Sequence, residues 1–110
     1  MEIDVGKDFY HRLANRDSHQ GDGKFTAIDF RNRFLKSLDN ENAWLTDTEP
    51  IVLDFANVKK IGPSFANEAF AYFTKYASPE KLSKKIVFKN ATRVQRMIIQ
   101  EELETGHKRV

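Results

Sequence analysis

The sequence predicts an α/β domain built on parallel strands. Three observations predict it. Two apolar runs, Ile51-Val52-Leu53-Asp54-Phe55 and Ile86-Val87-Phe88, are too short for helices and start on β-branched residues. Each is followed by a segment whose apolar residues recur at helical spacing. Strand and helix alternate along the chain, which is the order of parallel strands joined by crossover helices.

The elements follow in turn. Residues 1–5 alternate, Ile3 and Val5 against Glu2 and Asp4, as a half-buried strand does. Residues 6–24 are rich in Gly, Asp, Asn, His and Arg, and Asp22-Gly23 suggests the turn of a short hairpin. Thr26 is placed to cap a helix, with Asp29 three residues on and Phe25 and Phe30 set as a hydrophobic staple. Phe30, Phe34, Leu35 and Leu38 make its inner stripe, and Arg31, Arg33 and Lys36 lie off it. Asp39-Asn40-Glu41-Asn42 ends the pattern, which leaves Trp44 in a polar connector, either sealing the core or exposed.

Pro50 opens the first apolar run, expected to be buried on both faces as in a parallel sheet. Residues 56–62 read as a loop carrying Lys59 and Lys60. Gly62-Pro63-Ser64 starts the next helix, since Pro is favoured at the first helical position and Gly or Ser at the cap. Phe65, Ala66, Ala69, Phe70, Phe73, Tyr76 and Ala77 give that helix a broad apolar face, which predicts deep burial. Ser78-Pro79-Glu80 stops it. After the second run, Asn90 or Thr92 caps a last helix, expected to turn Val94, Met97, Ile98 and Leu103 inward and Arg93, Arg96 and Gln100 outward, with Gly106 as its stop.

Composition bounds the function. One domain spanning residues 1–110 is expected from the length, and a chain of this size buries about two thirds of its unfolded surface. Cysteine is absent, so disulfides, cysteine-ligated zinc and thiol catalysis are excluded. No stretch approaches the ~20 apolar residues of a membrane span, and the N-terminus lacks a signal-peptide pattern, so the expected compartment is the cytoplasm. Eighteen Lys and Arg against sixteen Asp and Glu leave +2, too weak a field to argue for nucleic acid. Lys59-Lys60, Lys81, Lys84-Lys85, Arg93-Arg96 and Lys108-Arg109 could form a basic patch, but near-neutral net charge and no interleaved aromatic favour solvated faces.

Ligand sites in parallel sheets gather outside the carboxyl ends of the strands, which directs attention to Asp54 through Phe65. Asp54 either caps loop amides or meets a partner. Asn57, Asn67 and Glu68 flank it, their plain alternative being solvent exposure. Ser64 is either a helix cap or, phosphorylated, a source of nearly two negative charges beside Lys59 and Lys60.

The segment from Ile51 to Glu68 resembles the STAS domain of sulfate transporters and anti-sigma factor antagonists. It is closer still to a bacterial STAS-like domain family of unknown function. The apolar strand ending Asp54-Phe55, the loop with Val58 and Ile61, and Ser64-Phe65-Ala66-Asn67-Glu68 opening a helix carry the resemblance. It implies a mixed sheet with helices packed against it, no catalysis, and signal transduction through protein contacts. The implied partner is a GHKL-type ATPase that is also a serine kinase. It implies docking through Asp54, Asn57, Lys59, Gly62, Ser64, Phe65 and Glu68. In such antagonists a serine at the start of this helix is phosphorylated; Pro63 stands at that position here, which leaves Ser64 as the candidate acceptor.

Other chemistries find less support. His11, His19 and His107 lack the i, i+4 spacing of a zinc motif. Gly21-Asp22-Gly23 lacks the third glycine and the preceding strand of a dinucleotide fingerprint. No catalytic residue, metal or cofactor is expected. The alternative is a small nucleotide- or anion-binding protein or enzyme using the same crevice.

Overall fold

The computed structural model describes residues 1–17, 24–47 and 49–108. Three parallel strands form the main sheet: β1 (Glu2–Asp4), β3 (Ile51–Asp54) and β5 (Ile86–Lys89), in the order β1-β3-β5. A second, two-stranded parallel sheet pairs β2 (Arg12–Leu13) with β4 (Lys60–Ile61). The helices are α1 (Val5–Asp8), α2 (Ala27–Phe34), α3 (Glu41–Leu45), α4 (Pro63–Ala69), α5 (Pro79–Lys85) and α6 (Arg93–Thr105). Short 3-10 turns follow α2 and α4. The expected α/β class is what the chain adopts. Every pairing among the described residues is parallel, so the mixed sheet implied by the resemblance is not seen there.

Local signals account for most helix starts. The Thr26 hydroxyl accepts from the Asp29 N–H, and Thr92 and Gln95 form a reciprocal capping box on α6. Gly62, not Ser64, caps α4, and it has no side chain with which to do so. Phe25 is held at φ 54, and the Phe9 ring meets both it and Phe30 edge-on. Two helices fall where the sequence suggests connectors: Asn40 caps α3 and Ser78 caps α5. α3 carries Trp44 into the core, where its indole N–H donates to the Leu38 carbonyl at 2.7 Å, so this residue seals the interior.

Side chains in register on parallel strands share a face. Ile3, Leu53 and Phe88 share the face turned to the helices, while Glu2, Val52 and Val87 share the other. Ile51 and Leu53 are buried but Val52 is only half-buried, so β3 is covered on one face rather than two. The broad face expected after Gly62 is deeply buried: Phe65, Ala66, Ala69, Phe70, Ala71 and Phe73 sit in one core with Phe30, Trp44 and Leu82. The hairpin turn expected at Asp22-Gly23 lies outside the described residues. β2, just before it, pairs in parallel with β4 instead of with a hairpin partner.

The last helix is rotated from its expected setting. Gln95, Ile99, Glu102 and Leu103 face inward, whereas Val94 and Met97 stand in solvent. The polar pair is satisfied: Gln95 donates to the Val58 carbonyl at 3.2 Å, and Glu102 accepts from Asn67 at 3.1 Å. A buried polar group with its partner in place costs little, so apolar count alone does not set the face.

Candidate functional site: the loop at the carboxyl ends of the strands

Asp4, Asp54 and Lys89 end the three parallel strands in register. The Asp54 carboxylate accepts from the Ala56 N–H at 2.9 Å and from the Asn90 side chain at 3.1 Å. The Ala56 amide, then Asn90, hold its pKa below the usual carboxylate range against a small desolvation effect, with help from the Lys89 charge. Asp54 therefore caps its own loop. Asp4 does the same for α1, accepting from the Lys7 N–H, and it also receives the Asn57 amide at 2.9 and 3.2 Å.

The loop is built tightly onto the molecule. A Cβ on Gly6 would lie 2.1 Å from the Asn57 carbonyl oxygen, so only glycine allows α1 to approach the loop this closely. The N–H groups of Phe55, Val58, Lys59 and Gly62 donate to the carbonyls of Lys89, Phe55, His11 and Leu13. The backbone is thus fixed while Ala56, Asn57, Lys59, Lys60 and Pro63 remain exposed and Gly62 and Ser64 half-buried. Ser64 is the second residue of α4, and no side-chain bond caps that helix.

Two residues expected on this surface are elsewhere. Phe65 is fully buried, with its ring between Phe30 at 5.7 Å and Phe70 at 6.5 Å. Glu68 is 8% exposed and lies beneath the surface. Asn67, read as flanking the site or else as solvent-exposed, is wholly buried. α4 enters the core within one turn, so the accessible part of the site ends at Ser64.

Glu68 is instead the hub of a buried polar cluster. Its carboxylate accepts from Arg31 at 2.6 Å and Arg16 at 3.1 Å, and His107 lies 3.1 Å away. Arg31 also donates to the Glu68 carbonyl and stacks 3.6 Å over the Tyr72 ring. Burial pushes the Glu68 carboxyl up, but the hydrogen bonds from Arg31 and His107 and their charges outweigh it and hold its pKa below the ordinary value. Asn67 completes the cluster: it donates to Glu102 and the Gly106 carbonyl and accepts from the Lys108 N–H at 2.7 Å. This cluster pins the segment after α6 to α4. The sequence offered a single hint, an acid in the middle of an apolar helix face.

The family model described as a STAS-like domain of unknown function (DUF4325) matches residues 26–95, more than half of the chain. The chain belongs to this family. No curated protein and no solved structure matched it. The STAS-like match runs from the Thr26 cap to Gln95 and so includes β3, the loop and α4. Asp4 and Gly6, which brace the loop, and Arg16 and His107, which hold Glu68, lie outside it. Among the described residues no helix is long and apolar enough to cross a membrane.

Proposed function

We propose that this STAS-like domain is a regulatory protein-interaction module with no catalysis of its own. Its docking surface is the loop from Asp54 to Gly62 with the first turn of α4. One observation carries the reading: the loop ties backbone donors inward and presents Ala56, Asn57, Lys59 and Lys60 outward, while Phe55, Val58 and Ile61 anchor it in the core. The N–H groups of Phe55, Ala56, Val58, Lys59 and Gly62 are all taken by acceptors of the chain itself. A phosphate cradle needs such donors free. A docking surface needs them fixed, because a preorganised loop loses little freedom on binding. The fixed loop backbone favours docking there, whereas the N–H groups of Ser64 and Phe65, at a helix start whose cap Gly62 has no side chain, leave the alternative of an anion-binding crevice its donors. A cleft of about 460 Å³ beside Trp44, Leu45, Lys81 and Lys84 shares no residue with the loop.

Asn57, Lys59 and Ser64 are the contact residues of this reading, with Asp54 and Gly62 setting the loop. The resemblance to anti-sigma factor antagonists supplies the partner class, a GHKL-type ATPase or serine kinase. Exposed Lys59 and Lys60 suit an acidic patch on it. Phosphorylation of Ser64 would set a dianion beside Pro63 and disrupt that fit.

The test is capture of such an ATPase by the chain carrying Lys59→Glu, with Lys81→Glu as the control at a distant helix. Loss with the first and retention with the second is expected; equal recovery overturns the assignment. Mass spectrometry after incubation with the ATPase and ATP should find one phosphate on Ser64. No phosphate, or phosphate elsewhere, removes the switch.

A further inference from the structure

The solvent face of α6 is unusual in two respects. Val94 is 65% and Met97 57% exposed, and with half-buried Ile98 they form an apolar strip at i, i+3, i+4. Turning the strip inward would break the bonds of Gln95 to Val58 and of Glu102 to Asn67, so it stays outside. The charges beside it also run against the helix. Arg93 and Arg96 stand at its start, Glu101 and Glu104 toward its end; the first turn has no acid and the last no base. A helix alone prefers the reverse, by about 0.3–1 kcal/mol per charge. Arg96 is engaged with the Phe88 and Ala91 carbonyls, and Glu104 with Gln100. Among the described residues Arg93 and Glu101 have no side-chain partner.

Cation, apolar strip and anion in that order are complementary to the same pattern reversed. We propose that this face binds a second copy of the chain, the two α6 helices lying antiparallel and crossing at Met97. Arg93 and Glu101 each stand four residues, about 6 Å, from that crossing. Each Arg93 then faces Glu101 of the second copy, twice over, in a closed two-fold arrangement. The antiparallel setting also brings the positive end of each helix beside the negative end of the other. The strip is narrow, so the interface falls below the roughly 1,200 Å² typical of stable complexes. Association is weak, concentration-dependent and reduced by salt.

Sedimentation equilibrium of the full chain tests this. A monomer–dimer equilibrium is expected at low salt, and Met97→Glu should raise its Kd by about tenfold or more. Arg93→Glu and Glu101→Arg should each raise it about fivefold, two exposed pairs being turned from attraction to repulsion. Mixing these two variants one to one should restore association, because each then supplies the charges the other lacks. Arg93→Glu alone should also melt slightly higher, since an acid suits the start of α6, so its stability and its association move in opposite directions. A chain that stays monomeric up to about 1 mM overturns the proposal. So does a dimer indifferent to Met97→Glu, or a mixture no better associated than its components; these would leave the face to another partner or to solvent.

Discussion

Gly6→Ala sets two effects of opposite sign against each other. Gly6 lies inside α1, and helix propensity alone favours alanine there by about 1 kcal/mol. The new Cβ would stand 2.1 Å from the Asn57 carbonyl oxygen and 2.3 Å from its carbon, both main-chain atoms with no rotamer to yield. The oxygen must retreat by about 0.9 Å merely to reach 3.0 Å, the limit of real Cβ contacts. Overpacking of this kind costs about 1–3 kcal/mol. The shift also strains the bonds from Asn57 to Asp4, worth roughly another 1 kcal/mol at a half-exposed site. The net expectation is a loss of about 2 kcal/mol, or a Tm lower by roughly 8 °C in a domain of this size. Gly62→Ser is the control. A Cβ there meets only the Leu13 carbonyl at 3.8 Å, φ is −100°, and the hydroxyl can cap α4, so a gain of a few tenths of a kcal/mol is expected. Urea unfolding of both variants beside the parent reads the difference. Gly6→Ala as stable as the parent would refute the close approach of α1 to the loop.

Other outcomes follow from the polar clusters. Glu68→Gln leaves Arg16 and Arg31 buried without their carboxylate and should cost about 3 kcal/mol by urea unfolding. The folded pKa of Glu68 lies below its ordinary value of 4.5, so its contribution is complete above that pH and lost as pH falls through the folded value. The gap between parent and Glu68→Gln should therefore narrow on acidification; a gap constant from neutrality to pH ~3 contradicts this. Tyr76 donates to Asp39 at 2.8 Å, which pushes its phenol up to about 12. Asp39→Asn should bring that ionisation down toward 10.0 in an ultraviolet titration. Thr92→Ala removes one half of the α6 capping box and should cost about 1 kcal/mol, measured by thermal unfolding.

Much of the fold was legible in the sequence where local chemistry decides it. The Thr26 and Thr92 caps, the two apolar runs and the Gly62-Pro63 start were all readable because each depends on residues within a few positions. α3 was not, because its five residues supply one core side chain and the polar run that caps it also reads as a breaker. β2 and β4 are two residues each, below any periodicity. The facing of α6 was misread because Gln95 and Glu102 are buried on bonds to Val58 and Asn67, 37 and 35 residues away in sequence. The site divided in the same way. Asp54 and Asn57 lie at the ends of β3 and β1, where the alternation of elements directs attention, whereas Lys60 and Ile61 pair with β2 in the second sheet. Phe65 and Glu68 are buried because α4 is covered from its first turn, and the Arg16 and His107 that satisfy Glu68 come from segments with no pattern to announce them.

The proposed docking surface is tested most directly by a photo-crosslinking residue at position 59, compared with one at position 81, each incubated with a GHKL-type ATPase of the class proposed as partner. A covalent adduct from position 59 and none from position 81 is the predicted result. An adduct from position 81 with position 59 silent would place the partner elsewhere on the domain.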